Sequence, residues 1–328
     1  MLDQLPIELV EHIVRLAAFP SSLNLSPSTY RERQDTLLSL CRTNKKLCAI
    51  AQPVLFGLVE LDTEEALDSF LEAVKSTALG RPVKRLRVIE GERDPSHYVG
   101  ITRQQIRWLG EHLPNVVEYF YEASGVGGLG MVNLSNMQSF PNLQSLVLHR
   151  VVLCTFEPFT LPSLRELSLV GCWPTRSPPP LTSISAPALQ AVHWSESSYH
   201  RLPGVVHPEH IQRLAVLSRE YNIDWPLDDR NADRVAKALL KLDDLFTDNK
   251  LPYLRTLYLP ILLDAPVTPM RLRLQYAVRD LDESCKSRKV DVVFEQPGHL
   301  ERDLLVPHAF WRRKEREIEA EKQRGGSA

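Results

Sequence analysis

The sequence predicts an α/β fold of repeated strand units behind a short helical N-terminal segment, and three observations predict it. First, a block recurs after residue 80 in which a Pro often precedes an apolar residue, two variable residues, an apolar residue, a variable residue and another apolar residue. It reads Pro141-Asn142-Leu143-Gln144-Ser145-Leu146-Val147-Leu148, then Pro162-Ser163-Leu164-Arg165-Glu166-Leu167-Ser168-Leu169, then Pro252-Tyr253-Leu254-Arg255-Thr256-Leu257-Tyr258-Leu259. Second, weaker copies at Val83/Leu86/Val88, Val116/Tyr119/Tyr121, Leu189/Val192/Trp194 and Ile211/Leu214/Val216 extend the series, with successive copies starting 21 to 43 residues apart. Periods of this order belong to short supersecondary units that stack into a solenoid. Third, roughly the first sixty residues carry apolar spacing of helical rather than strand period.

Each copy reads as one short strand that buries a row of apolar side chains and needs a stacked neighbour to do so. Side chains two apart on a strand share a face, so Leu146 and Leu148 point inward while Ser145, Val147 and His149 point outward. The same register puts Arg85 and Arg87, Glu118, Phe120 and Glu122, Glu166 and Ser168, Ala191 and His193, and Thr256 and Tyr258 on the outward face. Within that set Phe120, Val147, His149, His193 and Tyr258 are the candidate binding residues, aromatic and amphipathic groups being enriched at dominant contacts.

Helical elements fill the gaps. Asp62 with Glu65 resembles a capping box before Leu67, Phe70, Leu71 and Val74, and Thr102 with Gln105 repeats it before Ile106, Leu109 and Leu113. These helices are expected behind the sheet. Val235, Leu239, Leu242 and Phe246 mark another helix, and Leu274, Val278, Leu281 and Cys285 mark a last one before a strand over 290–294. From about Arg312 the chain is charged and nearly without apolar residues, which predicts a solvated helix or a disordered tail.

The N-terminal segment begins Leu5-Pro6-Ile7-Glu8-Leu9. Proline fits a first helical turn, where its missing N–H costs nothing, and Glu8 suits the positive end of the dipole. Val10, Ile13, Val14 and Ala17 continue an apolar stripe, a polar stretch over 20–35 interrupts it, and Leu37, Leu40, Cys41, Leu47, Cys48 and Ala51 read as a second helix that Pro53 ends or bends. The series Leu5-Pro6-x-Glu8-Leu9-Val10-x-x-Ile13-Val14, Leu37-Leu38-x-Leu40-Cys41-Arg42-Thr43-Asn44-Lys45-Lys46-Leu47 and Ala51-Gln52-Pro53-Val54-Leu55-Phe56 resembles an F-box. The blocks behind it resemble the leucine-rich repeats of F-box proteins. The chain departs from that family in having Leu47 where a tryptophan is frequent and in a longer segment over 19–36.

The resemblance implies an F-box-like domain over 1–61, a leucine-rich-repeat-like solenoid over 62–300 and a charged tail over 301–328. It also implies a role. The F-box would bind a Skp-type adaptor, and through it a cullin-RING ubiquitin ligase, with Leu5, Pro6, Glu8, Leu9, Ile13, Leu37, Leu40 and Leu47 facing the adaptor. The repeats would bind a protein substrate through the outward residues named above. The chain itself would be no enzyme and would use no cofactor.

Composition agrees with such a role. A net charge of −2 argues against broad nucleic-acid binding, no apolar run approaches membrane-spanning length, and five cysteines without a close pair fit reduced thiols in a cytoplasmic or nuclear protein. Sharper motifs fall short. Gly125-Val126-Gly127-Gly128-Leu129-Gly130 matches a dinucleotide fingerprint by letter, yet no helix of useful length follows it. His207-Pro208-Glu209-His210 lacks a second ligand pair, and Trp173 to Pro180 reads as a stiff loop. The alternatives left open are a repeat scaffold without a ligase role and a nucleotide-dependent enzyme using the Gly125–Gly130 loop.

Overall fold

The computed structural model describes residues 5–18, 27–76, 80–89, 103–123, 130–154, 158–174, 184–195, 208–217, 251–259, 269–294 and 306–325, with isolated positions between 236 and 248. It is an α/β protein whose main strands pair in parallel. The chain divides into two compact units, Met1–Gly128 with Asn136–Leu143, and Leu129–Ser135 with Gln144–Ala328.

The first unit opens with helices α1 (Ile7–Ala17), α2 (Pro27–Thr43) and α3 (Lys45–Phe56). They close on a small core of Val10, Val14, Ala18, Leu37, Leu47 and Ala51. The second helical pattern proves to be two helices. Asn44 breaks it: its backbone is extended, and its side-chain oxygen accepts the Leu47 N–H at 2.8 Å, capping α3. Pro53 lies inside α3, which continues to Phe56.

The polar stretch over 20–35 is helical from Pro27, where α2 begins. Its inner face is built from Tyr30, Arg33 and Leu37 at helical spacing, and all three are buried. Arg33 donates to the Val54 carbonyl. The Tyr30 hydroxyl accepts both the Gln34 amide at 2.8 Å and the Glu60 backbone N–H at 2.9 Å. Burial pushes the Tyr30 phenol up and the Arg33 guanidinium down from their ordinary values.

Tyr30 thereby ties the helices to strand β1 (Leu58–Leu61), which the sequence reading missed. After β1 come α4 (Glu64–Ser76), β2 (Arg85–Ile89), α5 (Arg103–His112) and β3 (Glu118–Glu122). The strands are parallel in the order β1-β2-β3, with Leu86 opposite Tyr119 and Val59 opposite Leu86. The cap of α4 is Thr63, whose hydroxyl accepts the Ala66 N–H at 3.1 Å, rather than Asp62. Leu67, Leu71 and Val74 of α4 and Ile106 and Leu109 of α5 are buried, as their spacing predicts. Asn115 and Asn142 repeat one device ahead of successive strands, donating to the Arg81 and Pro114 carbonyls at 2.8 Å.

The second unit runs β4 (Gly130–Asn133), β5 (Ser145–His149), β6 (Val151–Cys154), β7 (Phe159–Thr160), β8 (Glu166–Val170), β9 (Trp173–Pro174), β10 (Ile184–Ser185), β11 (Ala191–Ser195), β12 (Arg213–Leu217), β13 (Thr256–Leu259), α6 (Pro269–Ser287), β14 (Asp291–Phe294) and α7 (Pro307–Gly325). The main strands pair in the order β5-β8-β11-β12-β13-β14. Their starts are joined alike: the Gln144, Arg165, Gln190 and Gln212 carbonyls each accept two successive N–H groups of the next strand. Further short parallel strands pair separately, in the orders β4-β6-β9 and β7-β10.

A left-handed corner leads from β5 into β6 and from β8 into β9. Gly171 has φ +64°, and Arg150, at the matching place one strand earlier, has φ +57°. Ala236, Leu239 and Leu242 are helical and buried, whereas Val235 and Phe246 lie outside the described residues. Leu274, Val278, Leu281 and Cys285 form the buried face of α6. Among the described residues no helix is long and apolar enough to cross a membrane.

Candidate docking surfaces

Helix α1 has one face in the core and another in solvent. Val10 and Val14 are buried, while Leu9, Ile13 and Leu16 are 51%, 41% and 66% exposed. Their i, i+4, i+7 spacing sets them in one stripe. Ile7 is half exposed at the start of the helix, and Pro6 and Glu8 are exposed beside it. Pro6 sets the start of the helix, its carbonyl accepting the Leu9 and Val10 N–H groups at 3.1 and 3.2 Å. Lys46 of α3 donates to the Leu5 carbonyl at 3.4 Å and holds the chain just ahead of it.

The eight residues expected to face an adaptor thus divide. Pro6, Glu8, Leu9 and Ile13 stand at the surface. Leu5 and Leu40 are half-buried against the helical core. Leu37 and Leu47 are wholly inside it and present no face to a partner. The physical reason is thin packing: three short helices have few apolar positions, and these two are needed to fill the space between α1, α2 and α3. Leu16, which the sequence reading left out, completes the exposed stripe. Its position seven residues after Leu9 was the available signal.

The outward sheet face keeps its expected register but not its expected exposure. In the second unit Val147 stands opposite Ser168, Ser168 opposite His193, His193 opposite Ala215, and Ala215 opposite Tyr258. Val147, His149, His193 and Tyr258 are nevertheless all buried. Over part of this row lies α7, in the place of the expected solvated tail. The Phe310 ring meets His193 and Tyr258 edge-on at centroid distances of 5.1 and 4.9 Å, and Trp311 meets His193 at 5.7 Å. His308 Nδ1 is 3.2 Å from the Glu166 carboxylate, and Arg213 pairs with Glu315.

In the first unit the corresponding face is closed by charge. Arg87 pairs with Glu60 at 3.0 Å, the two side chains being 2% and 6% exposed, and its guanidinium lies 4.9 Å from the Phe120 ring centroid. Arg85 pairs with Glu118 at 3.0 Å. Phe120 is accordingly buried and offers no open surface. Glu60 was missed with its strand. A buried ion pair of this kind is costly to break, because removing one partner strands the other charge.

Nothing else in the described residues gathers into a chemical centre. No three His, Cys, Asp or Glu side chains stand together at metal-ligand distance among them. Glu209 and His210 lie in a 3₁₀ turn (Pro208–His210), their side chains 3.9 Å apart, and His207 lies outside the described residues, as do 125–129 of the glycine-rich loop and 175–180 of the proline-rich one. Cys172 is fully buried and donates to the Leu148 carbonyl at 3.2 Å, and burial pushes its thiol up to about 12. No protein-family model matches the chain, and no curated protein shows significant sequence similarity to it.

Proposed function

We propose that this chain is a non-catalytic substrate receptor of a cullin-based ubiquitin ligase. In this reading the α1–α3 segment is an F-box that binds a Skp-type adaptor. The parallel strands form an irregular leucine-rich-repeat-like solenoid that holds a protein substrate in the cytoplasm or nucleus. Chemistry belongs to the partner enzymes, and the receptor contributes proximity, turning a bimolecular encounter into an effectively intramolecular one.

The observation that carries the reading is the exposed stripe of Leu9, Ile13 and Leu16 on a helix whose opposite face is already filled by the core. An amphipathic helix apolar on both sides has one side left for a partner, and such stripes are read as i/i+4/i+7 anchors in a groove. Full burial of a Leu or Ile is worth about 1.5–3 kcal/mol. The half or so of each side chain still open therefore offers about 1 kcal/mol apiece.

Co-purification with a Skp-type adaptor tests this. Leu9→Ala, Ile13→Ala and Leu16→Ala combined should weaken the complex by about 3 kcal/mol, on the order of 10²-fold, in a variant that still unfolds cooperatively. Absence of any complex with the folded wild type would sink the ligase role and favour a repeat scaffold.

A further inference from the structure

The face under α7 has the layout of a site for a helix. From His308 to Glu315 is seven residues, about 10 Å along a helix axis. Their partners, Glu166 on β8 and Arg213 on β12, are separated by two strand spacings, also about 10 Å. The helix thus crosses the strands, meeting β8 through His308, β11 through Phe310 and Trp311, and β13 through Phe310 and Lys314. Recognition therefore reads one helix face against two neighbouring rows of the sheet, Glu166 with Arg213 and His193 with Tyr258.

The fit is imperfect in a specific way. The Trp311 indole N–H and the Ser168 hydroxyl are buried with no hydrogen-bond partner among the described residues. Each such group costs about 1–3 kcal/mol. Lys314 is buried beside the Phe310 and Tyr258 rings, and the carboxylate at 2.7 Å from it is Glu317 of its own helix. The costs at Trp311 and Ser168 offset much of the roughly 3 kcal/mol that each buried aromatic contributes. The helix is held by two aromatic side chains and the flanking Glu166–His308 and Arg213–Glu315 pairs. Past that pair, Glu319 and Ala320 are exposed.

We propose that this sheet face is a helix-binding site with α7 as its resident, exchangeable occupant. Its ligand in trans is an amphipathic helix carrying two adjacent aromatic residues, a basic residue three positions on and an acidic residue next to it. Calling that ligand a substrate rests on the receptor role proposed above, whereas the site does not. The tethered helix competes at an effective concentration of about millimolar, so a partner must match its aromatic pair to enter.

The test uses the full chain and a fluorescent peptide spanning 306–325, read by anisotropy. The Phe310→Ala, Trp311→Ala double variant loosens the resident helix and should bind the peptide at least ~10²-fold more tightly than wild type does. A peptide lacking both aromatics should not compete. A folded variant that takes up no peptide overturns the proposal. If the variant does not fold, hydrogen exchange on the unmodified chain decides. Amides of 308–315 should exchange at least ~10²-fold faster than those of β8 and β11, and equal protection would show a permanent cover. Neither measurement contains an adaptor, so failure here and failure of adaptor binding are separate results.

Discussion

Arg150 and Gly171 occupy the same corner of two successive strand units, and they give a test with opposite signs at equivalent places. Both backbones are left-handed, at φ +57° and +64°. A non-glycine residue held there costs about 1–2 kcal/mol. The Arg150 backbone N–H donates to the Val170 carbonyl at 2.9 Å, a bond that glycine keeps. Glycine adds unfolded-chain entropy worth about 0.5–1 kcal/mol against the folded state. Arg150→Gly should therefore stabilise the protein by up to about 1 kcal/mol. A Cβ on Gly171 would meet its nearest neighbour, Arg150 Cγ, at 3.5 Å, which is ordinary contact. Gly171→Ala thus carries the backbone term without a clash and should destabilise by about 1 kcal/mol. Thermal denaturation of the two variants beside wild type reads both, each shift being about 1–2 °C for 1 kcal/mol in a chain of this length. A stabilised Gly171→Ala, or an Arg150→Gly destabilised by more than about 1 kcal/mol, would refute the view that the corner is set by backbone handedness.

Two further outcomes are expected. Gly110 packs where α5 meets the 3₁₀ turn Leu134–Ser139, and an added Cβ would lie 2.7 Å from the Ser139 carbonyl carbon, so Gly110→Ala should lower the midpoint of urea unfolding by an amount equivalent to about 1–3 kcal/mol. An unchanged midpoint would contradict that packing. Cys172 is protonated in the fold up to about pH 12, while in the unfolded chain it ionises near 9. Because the folded state then binds the extra proton, stability is fully present below pH 9 and falls by up to about 1.4 kcal/mol per pH unit between 9 and 12. Cys172→Ala, compared with wild type over that range, should show a shallower decline, and identical slopes would contradict it.

The strand register was legible because it rests on one rule, period two, applied to a strong motif. Leu146, Leu148, Leu167, Leu169, Leu257 and Leu259 are all buried, and their alternates line up across the sheet. What failed did so where polar or aromatic groups do the work of aliphatic ones. The first half of α2 buries Tyr30 and Arg33, which no hydrophobic count detects. Strand β1 follows α3 directly, with no proline-led block to announce it. The burial of His193 and Tyr258 depends on a helix far along the chain, whose anchors Phe310 and Trp311 sit just ahead of a run that is otherwise charged. Inward and outward are local properties of a strand, whereas covered and open are not.

The backing layer follows from the lengths of the crossovers. The stretches from β1 to β2 (62–84) and from β2 to β3 (90–117) each carry a helix, α4 and α5. Those from β5 to β8 (150–165) and from β8 to β11 (171–190) are shorter. A helix advances only about 1.5 Å per residue, so one of several turns with a loop at each end leaves little slack in the second of these stretches and none in the first. Pro158, Pro162, Pro174 and Pro187 further remove backbone donors from them. Extended backbone covers more distance per residue, and its N–H and C=O groups find partners in the equivalent stretch of the next unit, as β6 does with β4 and β9. The longer crossover from β13 to β14 (260–290) restores the room, and α6 reappears there.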